Sequence, residues 1–173
     1  PNITLGWGNL PPNATYYVAM LQSAYIAIHA NDPSAQVIVA GFAPTIEKGF
    51  DNYNEFDFMR MVYANGAKEF ADAWAGMPYG FEHSPNNRTV DVAYLNMSRF
   101  VMLREIMVEN GDGQKPLWAS AWGWNALPEN WSGRPSIWRD VTQADQIQYT
   151  LDAITRAERE WTWLGGMILY HWQ

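Results

Sequence analysis

Short apolar runs and longer stretches of helical spacing alternate along this chain. From about Thr15 to Ala30, the residues Met20, Ala24, Ala27 and Ile28 recur at helical spacing, and Asn13 or Thr15 can cap the first turn. Asn31-Asp32-Pro33-Ser34 ends that helix, because the residue before a proline is pushed out of the helical region. Gln36-Val37-Ile38-Val39-Ala40 then reads as a short strand buried on both faces. The alternation continues. A helix is expected from about Glu55 to Asn65, a strand over Asp72 to Tyr79, and a helix from about Val90 to Asn110. A third strand is expected over Pro116 to Trp122, a helix over Thr142 to Glu160 capped by Thr142, and a fourth strand over Gly165 to Tyr170.

Four strands alternating with four helices predict parallel βα units in one α/β domain over residues 1–173. The long connections follow the strands: Gly41 to Asn54, Gly80 to Thr89 and Gly123 to Val141. The turns before strands are mostly short, as at Asn31 to Ala35 and Gly111 to Lys115. Chain length is therefore spent at the carboxyl ends of the strands, where α/β folds keep their sites. A closed (β/α)8 barrel needs eight strands and about 250 residues. Four units are half of one, or else an open doubly wound sheet. Half a barrel leaves two free sheet edges and an uncovered inner face, so it calls for a complementary half or for self-association.

Composition narrows the chemistry. The 173 residues carry a net charge of -7, which disfavours a nucleic-acid or anionic-membrane partner. There are no cysteines and only three histidines, so thiolate chemistry is excluded and a histidine metal site is not expected. Ten Trp, nine Tyr and seven Phe are the unusual feature. Most such rings pack cores, but Trp118, Trp122, Trp124, Trp131 and Trp138 crowd one strand and its loop, where they could stack on sugar rings. Asn-x-Ser/Thr sequons begin at Asn2, Asn13, Asn87, Asn96 and Asn130, which a secreted protein could glycosylate.

Several segments resemble the C-terminal half of a clan A glycoside hydrolase, of the β-xylosidase or cellulase-like kind. Pro1-Asn2 is similar to the tail of the Trp-Asn-Glu-Pro-Asn motif that closes the fourth strand of such barrels. Val37-Ile38-Val39-Ala40-Gly41 resembles the fifth strand. Asp72 to Tyr79 resembles the sixth, with Met77-Pro78-Tyr79 where His-Pro-Tyr is usual. Lys115 to Trp124 resembles the seventh, with Ser120-Ala121-Trp122 in place of Thr-Glu-Phe. Gly166 to Trp172 resembles the eighth, which carries an active-site tryptophan.

The resemblance implies a (β/α)8 TIM-barrel fold to which this chain contributes strands five to eight. It implies a retaining β-glycosidase lineage acting on β-linked oligosaccharide or plant polysaccharide, with no cofactor. Such enzymes pair an acid/base carboxyl with a nucleophilic carboxylate about 5–5.5 Å away. By the resemblance the acid/base glutamate would fall before Pro1, and Ala121 occupies the nucleophile position. A methyl group can neither attack an anomeric carbon nor move a proton, so the chain is expected to be inactive. Tyr79 would hydrogen-bond the nucleophile. Asn2, Glu82, Trp122, Trp124, His171 and Trp172 are the expected substrate contacts. A non-catalytic sugar-binding relative and an engineered half-barrel scaffold remain competing expectations.

Overall fold

The computed structural model describes residues 1–170. Four α-helices and three strands follow in the order α1 (Ala14–Asn31), α2 (Glu55–Ala64), β1 (Trp74–Gly76), α3 (Phe100–Glu109), β2 (Leu117–Trp122), α4 (Gln143–Glu160) and β3 (Leu164–Leu169). The strands pair in parallel in chain order, β1-β2-β3. Trp74 aligns with Leu117, and Leu117 with Leu164.

A fourth, leading segment runs beside β1 without becoming a regular strand. It touches β1 through parallel bridges, Ile38 with Ala73 and Phe42 with Gly76. The expected strand over Gln36 to Ala40 is therefore reduced to isolated bridges. One cause is visible at its start. The Asp72 carboxylate takes the Val37 amide at 2.7 Å, alongside the Asp72 and Ala73 amides that reach the Val37 carbonyl. Met77-Pro78 likewise confines the second strand, expected over Asp72 to Tyr79, to its three central residues.

Sequential strand order decides between the two architectures. Right-handed crossovers that always step the same way place every helix on one face of the sheet. Neighbouring helices then pack side by side, as α1 does on α2 and α2 on α3. A doubly wound sheet would reverse its order midway. The fold is thus α/β of the (β/α)8 barrel type, with three regular strands and the bridged leading segment making about four βα units.

The core lies between sheet and helices. Trp74 and Phe42 from the sheet side meet Phe58, Met59, Val62, Leu103 and Met107 from α2 and α3. Tyr63 stacks on Trp74 at 4.2 Å, and both donate to the buried Asp112 carboxylate, the hydroxyl at 3.0 Å and the indole at 2.9 Å. Burial and the Asp112 charge keep the Tyr63 phenol protonated far above its ordinary pKa. On the opposite face, Ser120 donates to the Gly76 carbonyl at 3.2 Å, and Gly41 is required because a methyl there would collide with the Ser120 hydroxyl. Ile38 and Ile168 stay exposed on the strands.

Two helices differ from expectation. On α1 the buried stripe is Ala14, Tyr17, Val18 and Leu21, whereas Met20 and Ile28 face outward. That helix carries two apolar stripes, and spacing alone could not say which one meets the sheet. The third helix starts ten residues later than the expected Val90. Asn87 and Asp91 take the amides of Thr89 and Ala93 in tight side-chain turns, and Asn96 caps a 3-10 turn that leads into α3. Asn13 and Thr142 cap α1 and α4 as expected.

Helix α4 is clamped to the loop after β1. Arg156 is buried, donates to the Pro85 carbonyl and to Ser98 Oγ at 2.7 Å, and pairs with Glu160 at 3.0 Å. Arg88 grips the same carboxylate with two nitrogens. Hydrogen bonds from Arg88, then from Arg156, hold the Glu160 carboxyl at about 2 against an ordinary 4.5. A carboxyl lowered in the folded state stabilises fully above its unfolded pKa and loses that contribution as pH falls. Thermal stability should therefore drop between about pH 4.5 and 2. Glu160→Gln should flatten that part of the profile, and an unchanged profile in thermal melts would refute the clamp.

Candidate functional site

Barrel sites form where strands end, and here the ends of β1, β2 and β3 converge. Tyr79 follows β1 and bridges in parallel to Gly123, just past β2. Gly80 then donates to the Gly123 carbonyl at 3.1 Å, and Tyr170 to the Trp122 carbonyl at 3.1 Å. These bonds draw three loop starts together. Gly80 must be glycine, because Trp124 lies where its side chain would be. Gly123 has φ 143°, a conformation that side chains resist.

A cavity of about 630 Å³ opens beside these ends. Tyr79, Phe81, Trp124, Trp138 and Tyr170 supply its aromatic wall. Gln146, Ile147, Thr150 and Leu151 from α4 form the other side, with Asn125 at the loop. Trp138 packs on Tyr79 with ring centres 4.9 Å apart and on Phe81 at 6.1 Å. Trp124 is fixed from both ends: its indole donates to the His83 carbonyl at 2.8 Å, and its own carbonyl accepts from Gln146 at 2.7 Å.

The loop that brings Trp138 back over Tyr79 is closed at its neck. Val141 donates to the Asn125 carbonyl at 2.9 Å, and the Asn125 side chain donates to the Arg139 carbonyl at 3.1 Å. Phe81 and Arg139 both adopt positive φ, 55° and 59°. Such strain in non-glycine residues concentrates at functional sites. Burial, and then the neighbouring Tyr170, raise the pKa of Tyr79, so its phenol is a proton donor at neutral pH.

The residues singled out in the sequence have different fates. Tyr79 and Trp124 line the cavity. Glu82 is exposed near it and pairs with His83 at 3.8 Å and Arg139 at 4.0 Å. Trp122 is buried in the core, edge-on to Trp124, with its indole nitrogen unpaired. It is a core residue and does not line the cavity. Asn2 is fully buried, and its amide is committed to backbone: it donates to Ala43 and Tyr53 carbonyls and accepts from the Ala43 amide, each at 2.8 Å. It clasps the start of the chain to the leading segment. That burial also removes the sequons at Asn2 and Asn96 as acceptors in the folded protein. His171 and Trp172 lie outside the described residues.

Ala121 is buried at the end of β2, at an irregularity in the strand pairing between Ala119 and Trp122. The core between sheet and helices runs through Leu117, Ala119 and Trp122 and passes Ala121 by. Residues three apart cannot share a face of a regular strand, so the irregularity turns the chain at Ser120 and Ala121. Ala121 does not line the cavity, which begins two residues later at Gly123.

Trp138, Phe81, Asn125, Gln146 and Thr150 were not singled out in the sequence as site residues. Trp138 belonged to the tryptophan cluster, but its pairing with Tyr79 depends on a loop closure that spacing does not encode. Among the described residues, no group of three or more His, Asp or Glu side chains converges as a metal would require.

No protein-family model and no curated protein matches the chain. Solved structures do. A glucosidase from Croceicoccus marinus aligns with a TM-score of 0.60 at 16% identity, over 91% of this chain and 28% of its own. An α-L-arabinofuranosidase from Thermotoga maritima, solved as an arabinose complex, aligns with a TM-score of 0.63 at 12% identity, over 93% and 30%. The family 51 α-L-arabinofuranosidase AbfB from Bifidobacterium longum aligns with a TM-score of 0.60 at 12% identity, over 93% and 34%. The chain therefore has the fold of part of a (β/α)8 barrel. It spans about a third or less of the length of these structures.

Proposed function

We propose that the chain is the C-terminal half of a clan A retaining glycosidase barrel that binds β-linked oligosaccharide and does not cleave it. The observation that carries this reading is the cavity at the strand ends, walled by Tyr79, Trp124 and Trp138. Aromatic faces stack on the apolar faces of sugar rings, and amide and hydroxyl groups beside them meet ring hydroxyls. None of the described residues lining it is a carboxylate. Ala121, at the end of β2, stands at the position where the resemblance puts the nucleophile. A complementary half with strands one to four covers the inner face, pairs with both sheet edges and brings the acid/base carboxyl. The missing step is then attack on the anomeric carbon, which forms the glycosyl-enzyme in retaining enzymes.

Chemical rescue tests the reading. The chain is assembled with a complementary half and given a dinitrophenyl β-glycoside, whose leaving group departs without protonation. Azide that replaces the missing carboxylate should attack the face opposite the leaving group and yield the α-glycosyl azide. A folded complex that forms no glycosyl azide over a broad panel of sugars would refute the assignment. Lack of a nucleophile with the aromatic wall retained also favours the sugar-binding relative over a bare scaffold. That relative predicts binding with or without rescue.

A further inference from the structure

The cavity at the strand ends is lined without a single charged side chain among the described residues. Its polar groups are neutral: the Asn125 and Gln146 amides, the Thr150 hydroxyl and the phenols of Tyr79 and Tyr170. Asn125 and Gln146 each donate to a backbone carbonyl, which turns their amides into fixed groups at the wall. The nearest cation along the loop, Arg139, is directed to Glu82 at 4.0 Å. The chain as a whole is acidic, with a net charge of -7.

Resting on the carbohydrate reading above, we propose that this cavity selects neutral sugar rings and rejects uronic acids, with Trp138 as the stacking platform that holds the ring. A carboxylate entering such a wall loses its water and finds no cation among the described lining residues to replace it. A neutral ring loses only hydroxyl hydration, which amides and phenols restore. Trp138 is half-exposed, so one side of its indole packs on Tyr79 and Phe81 while part remains open to a ligand. The neck at Asn125 and Val141 fixes the loop that carries it, so little order has to be created on binding.

Titration calorimetry of the full chain decides it, with cellotetraose and xylotetraose as neutral probes and β-1,4-linked tetraglucuronate, which differs from cellotetraose only in its carboxylates, as the acidic one. A neutral probe should bind, and the acidic probe should bind at least about tenfold more weakly, since a desolvated unpaired group strongly opposes binding. Trp138→Ala should weaken the neutral probe about tenfold, the scale of one lost aromatic stack. Trp131→Ala, on the same loop and exposed, should leave it unchanged. Thr150→Lys should raise affinity for the acidic probe, by placing a cation in the wall. Equal or tighter binding of tetraglucuronate overturns the proposal and leaves the glycosidase lineage standing, because azide rescue judges that separately. Neutral binding that survives Trp138→Ala, or no binding by any probe, overturns it as well.

Discussion

Replacing Arg99 by alanine is expected to remove about 3–5 kcal/mol of stability, because a buried ion pair is broken from one side. The pair joins the two long loops that follow the leading segment and β1. Arg99 lies 2.8 Å from Glu55, and both side chains are almost completely buried. The guanidinium also reaches the carbonyls of Val92 at 2.6 Å, Asp91 at 3.1 Å and Thr45 at 3.2 Å, and covers the Phe56 ring. Glu55 begins α2 and accepts from the Thr45 amide at 3.2 Å.

Burial pushes the Glu55 carboxyl above its ordinary pKa even with Arg99 against it. Desolvation therefore outweighs the attraction, and removal of Arg99 leaves a buried carboxyl with no countercharge and only the Thr45 amide beside it. Domains of this kind are stable by only about 5–15 kcal/mol, so the single variant should approach unfolding. The double variant Glu55→Gln/Arg99→Met should lose less than Arg99→Ala alone, because it strands no charge. Urea denaturation checks both. A double variant less stable than the single one would contradict this account of the pair.

The legible part of the fold was the part with strong periodicity and local caps. Thr142 and Asn13 could be read as caps because their side chains act on amides two or three residues away. Parallel pairing followed from alternation, whereas the choice between half a barrel and a doubly wound sheet stayed open until the strand order β1-β2-β3 decided it. The leading strand was over-read, because its amide partner is an aspartate 35 residues away. The start of α3 was over-read because Asn87, Asp91 and Asn96 offer the backbone side-chain bonds that spacing does not weigh. At the cavity, Tyr79 and Trp124 were singled out by the resemblance and both are among the lining residues. Gln146 and Thr150 were not singled out, since a helix residue reaches the cavity only through the placement of α4, which is tied to the Trp124 and Pro85 carbonyls. Asn2 misled for the opposite reason: its type suits a sugar, but its burial commits it to backbone.

The second large effect concerns Ala121. A glutamate there should restore hydrolysis, if the alanine fills a nucleophile's position at the end of β2. Removing one member of a catalytic group costs on the order of 10^4-fold or more, and a successful restoration acts on that same scale. Tyr79, which the resemblance pairs with the nucleophile, is bridged to Gly123 two residues beyond Ala121, and burial keeps its phenol protonated. The irregularity between Ala119 and Trp122 is what would aim the new side chain away from the helices. A glutamate directed into the core instead would be desolvated and would destabilise the fold.

The direct test is therefore the hydrolysis of an aryl β-glycoside by the chain carrying Ala121→Glu, assembled with a complementary half and followed by NMR of the released sugar. The account predicts turnover that the alanine form lacks, with the β configuration retained in the first product. A stable, folded assembly that stays silent on every glycoside tried, or one that releases the inverted sugar, would contradict it.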